Sequence, residues 1–141
     1  EIAAATMNSN CGGRDHGAVY VEREVIDWCR RCFGFPPGAS GVLVTGTSQA
    51  TVIALAAARQ RALGDASRRD GIVGGPPLAA YAVAGVHNAV TKALELLGIG
   101  GAALRLLPAR ADGALDPAAL ADAVARDRAA GVKPMCVVGT A

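Results

Sequence analysis

Aromatic side chains are scarce in this sequence, with two Phe, two Tyr and one Trp among 141 residues, and an excess of either charge is missing as well. Fourteen basic residues stand against twelve acidic ones, a formal net charge of +2. They are scattered along the chain, so no basic face argues for nucleic acid or an anionic membrane as a partner. No apolar run reaches the roughly 18 residues of a membrane span, and the opening EIAAATMNSN lacks the charged and apolar regions of a signal peptide. A cytoplasmic protein is expected. The four cysteines, Cys11, Cys29, Cys32 and Cys136, are too dispersed for a disulfide framework in a chain of this character. Cys29 and Cys32 nominally offer two zinc ligands, but no second close Cys or His pair completes a site. They lie in VEREVIDWCRRCFGF, where Val21, Val25, Trp28, Cys29 and Cys32 recur at helical spacing, so core packing is expected of them.

What is present is apolar and small. The chain is 52% hydrophobic and 18% charged with 18 glycines, a composition that suits an Ala/Val/Leu-rich α/β layer structure. One domain of this length can bury roughly 70% of its unfolded surface. The sequence opens on Glu1 and stops at PMCVVGTA, inside a predicted strand, so it reads as an excerpt of a longer protein.

Residues 1–17 carry no periodicity and read as an irregular lead-in. An amphipathic helix is expected from about 18 to 33, with Glu22, Arg23, Asp27, Arg30 and Arg31 turned away from the apolar stripe. Gly34 stops it and Pro36 forbids its continuation. GVLVTG (41–46) has the uninterrupted β-branched character of a strand buried on both faces. The following SQATVIALAAARQRALG reads as a helix apolar almost all round, hence one with both sides covered, closed by Gly64. After the polar connector DASRRDGIVGGPP come a strand in LAAYAVAG and a helix in HNAVTKALELLG, whose Val90, Ala93, Leu94 and Leu97 fall at i, i+3, i+4 and i+7. ALRLLPA gives another strand. Asp116 as N-cap, Pro117 at the first helical position and a Leu115–Leu120 staple then start a helix in PAALADAVARDRAAG. PMCVVGT is the last strand. The order β-α-β-α-β-α-β predicts a largely parallel sheet with helices on its faces, and ligands in such sheets bind beyond the carboxyl ends of the strands.

Two segments at those ends carry chemical character, TGTSQ and GVHN. Three readings of TGTSQ stand side by side. Thr47 or Ser48 caps a helix and Gly46 makes the turn. Alternatively, backbone N–H groups and the two hydroxyls cradle a phosphate at the positive helix end, without the G-K-[ST] of a P-loop or a G-x-G-x-x-G. The third reading, a nucleophile elbow, needs an acid and then a histidine later in the chain, whereas His87 precedes Asp112 and Asp116. His87, at the start of its helix, is either a capping or surface histidine or an imidazole beside whatever the loop anchors. His16 lies in the irregular lead-in and is given no role. Lys92, on the polar side of its helix, and Lys133, in a connector, are the only lysines, and neither looks like a desolvated Schiff-base lysine.

Together, VEREVIDWCRRCFGFP, GVLVTGTSQATVIALAAAR, YAVAGVHNAVTKALELLGI and LRLLPARADGALDPAALADAVARDRAAGVKPMCVVGTA resemble, in content and order, the group II pyridoxal-phosphate-dependent decarboxylases of aromatic amino acids, glutamate and histidine. The resemblance implies that 18–141 form part of the large domain of a fold-type-I transferase-like enzyme, a homodimer acting on a small amino acid. It implies that Thr47 and Ser48 hold the phosphate of pyridoxal 5'-phosphate and that His87 stacks on its ring and helps position the substrate, a catalytic as well as a cofactor-binding role. In the family, the aspartate that pairs with the pyridine nitrogen and the Schiff-base lysine come after the strand that ends here, so the chain alone is expected to be inactive. Another fold-type-I enzyme, a lyase or aminotransferase, and a non-catalytic α/β binding module are the alternatives.

Overall fold

A computed structural model describes residue 2 and residues 15–140. Apart from Ile2 and residues 15–17, the expected lead-in lies outside the described residues, as does Cys11. The chain divides into two compact units, Glu1–Thr45 and Gly46–Ala141.

The first unit holds helix α1 (Gly17–Cys32), which ends where Gly34 adopts a φ of 67° and donates its N–H to Arg31 O. The helix is present as expected, but its faces are exchanged. Val21 and Trp28 of the predicted core stripe are 64% and 62% exposed, Cys32 is exposed, and Val19 is the residue buried. The reason lies in the polar side chains that follow the loop after the helix. Arg30 donates to Asp27 and to Phe35 O, and Glu22 accepts the Leu43 N–H at 3.2 Å, so the polar face turns inward against residues 35–43. The two arginines beside Asp27, Arg30 foremost, hold its carboxyl below the usual range.

Residues 41–46 form no strand. Val42 and Leu43 are 57% and 56% exposed, and the Leu43 N–H goes to a side chain instead of a ladder. An extended apolar run becomes a strand only when a neighbouring strand pairs with it, and among the described residues no strand does.

In the second unit, helix α2 (Thr47–Leu63) is followed by a short helix α3 (Ala66–Asp70) within the connector, then strand β1 (Leu78–Val83) and helix α4 (Ala89–Leu96). A 3-10 turn (Gly101–Ala103), strand β2 (Leu104–Leu107), helix α5 (Pro117–Ala129) and strand β3 (Lys133–Val138) complete it. The three strands are parallel in the order β2-β1-β3. Tyr81 sits opposite Arg105 on one side and Val137 on the other. β1 is central, and its Ala79, Ala80, Tyr81 and Ala82 are buried because a helix layer covers each face.

Strand alternation separates the two layers. Ala80 packs with Leu55, Val90, Ala93 and Leu94 of α2 and α4. Ala79 and Tyr81 point the other way, to Leu107 and to Ala123 of α5, with Leu115 and Leu120 packed against them. The i, i+3, i+4 pattern of α4 and the Leu115–Leu120 staple thus do what the sequence predicts. Helix α2 departs from its reading: Leu55 is buried but Ile53 is 40% exposed, so among the described residues only one side of it is covered.

Candidate functional site

The N-cap position of helix α2 is Gly46, in an extended conformation, which has no side chain to offer, and no acidic residue lies in the first turn. The Ala50 N–H is taken up by Gly46 O at 3.1 Å, which leaves the amides of Thr47 and Ser48 at the open end. Both residues are exposed, and neither hydroxyl has a hydrogen-bond partner among the described residues. The capping reading of the sequence therefore fails here in its simplest form. At α5, by contrast, Asp116 accepts the Ala118 N–H at 2.9 Å, and Pro117 stands at the first helical position, as the sequence predicts.

Beyond the carboxyl end of β1, Gly85 takes a φ of 98°, a conformation that lets the chain turn at once into Val86, His87 and α4. His87 Nδ1 accepts the Ala89 N–H at 3.1 Å. This orients the ring and, in the neutral imidazole, places the proton on Nε2. Ser48 makes no hydrogen bond to either ring nitrogen, so no Ser–His pair of a nucleophile elbow is formed.

The ring stands between two grooves. A larger one, about 440 Å³, is lined by Thr47, Thr51, His87, Cys136, Gly139 and Thr140, at the carboxyl ends of β1 and β3. A smaller one, about 270 Å³, is lined by Ser48, Val52, His87, Asn88, Lys92 and Leu96. Thr47 thus shares the larger groove with His87, and Ser48 shares the smaller one with it, although 38 residues or more separate the loop from the histidine. Burial pushes the Cys136 thiol up, which keeps it protonated and weakly nucleophilic.

Sequence reasoning missed three lining residues. Lys92 follows Asn88 by one helical turn and so shares its face, a spacing that could have pointed to it. Thr51 is likewise one turn beyond Thr47, and its hydroxyl donates to Thr47 O at 2.9 Å. Thr140 had no local signal beyond its place after a strand. Lys133, at the opposite end of β3 from Gly139 and Thr140, lines neither groove.

A second polar cluster lies on the opposite face of the sheet. Tyr81 OH donates to Asp127 Oδ2 at 2.8 Å, and Arg105 reaches the same carboxylate at 3.1 to 3.2 Å while also donating to Ala102 O. Burial and the hydrogen bond to Asp127 push the Tyr81 hydroxyl up to about 12, and the Arg105 guanidinium holds Asp127 below the usual carboxylate range. Every polar group in that cluster is matched, as expected of a structural clasp.

A parallel α/β layer with an open, hydroxyl-bearing helix start and an imidazole beyond its strand ends has the form of a small-molecule-binding α/β domain. The chain belongs to the pyridoxal-dependent decarboxylase family: the model of the pyridoxal-dependent decarboxylase conserved domain matches residues 16–141. It is 34% identical to tryptophan decarboxylase 1 of Oryza sativa subsp. japonica over 99% of this chain and 30% of that protein. It is 30% identical to an aromatic-L-amino-acid decarboxylase of Bacillus atrophaeus over 89% of this chain and 24% of that one. Among solved structures, mouse CSAD in apo form superposes with a TM-score of 0.83 at 28% identity, over 96% of this chain and 29% of that one. Oryza sativa TDC with PLP superposes with a TM-score of 0.76 at 31% identity, over 96% and 32%. The chain thus spans less than a third of the length of each of these relatives.

Proposed function

We propose that residues 18–141 are part of the cofactor-binding domain of a pyridoxal-5'-phosphate-dependent amino acid decarboxylase. The observation that supports this is that Thr47 and Ser48 each share a groove with His87, in a chain of this family. The residues fit the cofactor. Two unpartnered hydroxyls and two open amides at an uncapped helix start suit a phosphate dianion, and an imidazole fixed through Nδ1 offers a flat face to a pyridine ring.

When bound, pyridoxal phosphate supplies an electron sink for the pair of electrons left as carbon dioxide departs from an amino acid. The chain's own part is placement. Thr47 and Ser48 anchor one end of the ring system, and His87, held by the Ala89 amide, sets its plane and keeps Nε2–H turned to the site. The relatives named for tryptophan and aromatic amino acids support an aromatic L-amino acid as the substrate. The same reading takes the whole enzyme as a cytoplasmic homodimer with no nucleic acid or membrane partner, and sedimentation equilibrium of the whole enzyme tests the dimer.

The purified chain is titrated with pyridoxal phosphate and followed by absorbance and fluorescence. Saturable binding that weakens in Thr47→Ala, Ser48→Ala and His87→Ala is expected, whereas binding that all three leave unchanged would refute the reading.

A further inference from the structure

The phosphate loop of the proposed site has a deficiency in charge. Residues 44–51, VTGTSQAT, contain no cation, and no cation lines the larger groove. A phosphate ester carries close to two negative charges near neutral pH. Hydroxyls and amides match its shape and hydrogen bonds, but they leave most of that charge without a counter-ion.

One cation lines the smaller groove, and it is Lys92. Its ammonium is exposed and has no hydrogen-bond or ion-pair partner among the described residues. Glu95, one turn further along α4, is the nearest acid on the same helix, but its carboxylate lies over Gly101 and does not pair with Lys92. Arg59, another cation near α4, already donates to Leu97 O at 2.9 Å. Asn88, one turn before Lys92, and Ser48, on α2, line the same groove, so Lys92 and Ser48 border one space together with His87. Free lysines on protein surfaces are ordinary. A free lysine on the groove that also holds Ser48 and His87 is placed where a dianion would need it.

We infer that Lys92 is a positioning residue for the cofactor's anionic end, supplying across the groove the positive charge that the Thr47–Ser48 loop lacks. This rests on the cofactor reading above and adds to it a charge on a second helix. The attraction is long-range and solvent-screened, so it strengthens binding at low ionic strength and fades as salt rises. No proton is transferred and no covalent bond is formed or broken.

The test compares binding of pyridoxal phosphate and of pyridoxal, which lacks the phosphate, to the chain and to Lys92→Met, Lys92→Arg and Ser48→Ala variants at low and high salt. Circular dichroism establishes equal folding; Lys92 is exposed, so Lys92→Met keeps the stem without burying anything new. The expected result is a loss of about three- to tenfold in pyridoxal phosphate affinity for Lys92→Met at low salt. That loss should shrink at high salt, be absent for pyridoxal, and be restored by Lys92→Arg. Equal affinities of Lys92→Met and the unaltered chain, with Ser48→Ala weakened, would overturn the role of Lys92 and leave the cofactor reading standing. A silent Lys92→Met overturns this inference whatever Ser48→Ala does, and only if Thr47→Ala, Ser48→Ala and His87→Ala are silent too does the cofactor reading fall with it. A stoichiometric borohydride-trapped adduct at Lys92 would also overturn it, because the amine would then be acting as a nucleophile.

Discussion

On the α5 face of the sheet, the polar groups are tied to one another: Asp116 closes the helix start, and Tyr81, Asp127 and Arg105 form a matched cluster across β1, β2 and α5. On the α2 and α4 face, cohesion comes from Leu55, Val90, Ala93 and Leu94, while the hydroxyls of Thr47 and Ser48 and the Lys92 ammonium have no partner among the described residues. The two layers enclose the same strand, so the difference is not one of position in the core. It separates a face whose polar groups hold the protein together from one whose polar groups are available to something else. Satisfied networks rigidify, and open ones at a strand's carboxyl end are where a ligand gains most from binding.

The comparison breaks first at Leu94. If the α2 and α4 face is held by apolar packing, Leu94→Ala should cost about 2–5 kcal/mol in urea unfolding, since the side chain is fully buried. A loss under about 1 kcal/mol would show that this layer is held by something else. Next comes the polar clasp. Asp127→Asn should cost about 1–3 kcal/mol, because the Arg105 guanidinium loses its charged partner and one remaining amide oxygen must serve both Arg105 and the Tyr81 hydroxyl. Its signature is in the pH dependence. Asp127 is depressed when folded, so its contribution is present above the usual carboxylate value near 4 and is lost as pH falls through the lower folded value. Tyr81 is raised, so its contribution is complete below its unfolded value near 10 and disappears as pH climbs toward about 12. Tyr81→Phe should remove the alkaline loss, read from unfolding midpoints between pH 9 and 12, and retaining it would exclude Tyr81 as its source.

Asp116→Ala sharpens the contrast at about 1 kcal/mol, the usual value of a lost N-cap. At the uncapped start of α2 the same class of change should do almost nothing to stability. Ser48→Ala should shift it by less than about 0.5 kcal/mol, yet weaken pyridoxal phosphate binding severalfold. A Ser48→Ala chain destabilised as much as Asp116→Ala would mean that the hydroxyl caps the helix after all.

The sequence made some of this legible and hid the rest for physical reasons. Val90, Ala93 and Leu94 announce α4 because helical periodicity is local, and the Asp116–Pro117 start is readable because a cap involves neighbours in the chain. Thr47, Ser48 and His87 stand out as small hydroxylated residues and an imidazole after apolar runs, and His87 lines one groove with Thr47 and another with Ser48. Residues 41–46 misled because a strand is a property of pairs, and an apolar run does not state whether a partner exists. The apolar stripe of α1 is exposed while Arg30 and Glu22 bind backbone groups of the next loop, contacts that periodicity cannot register. Lys92 was passed over because a polar helix face was equated with bulk water, whereas this one borders a groove. Tyr81 and Asp127, 46 residues apart, gave no local sign of each other.

The sheet order carries a consequence for the birth of the protein. β1 lies in the middle, yet both strands that flank it come later in the chain, and Leu78 finds its pair only at Lys133. At synthesis rates of about 5–20 residues per second, the ribosome delivers that partner roughly three to eleven seconds after β1 has emerged. β2 can cover one edge once residue 107 is made, but the edge that β3 covers stays open for the whole interval, along the most deeply buried strand among the described residues. A ribosome that pauses after residue 107 prolongs this exposure, and a chaperone that acts on the nascent chain has its natural substrate in LAAYAV.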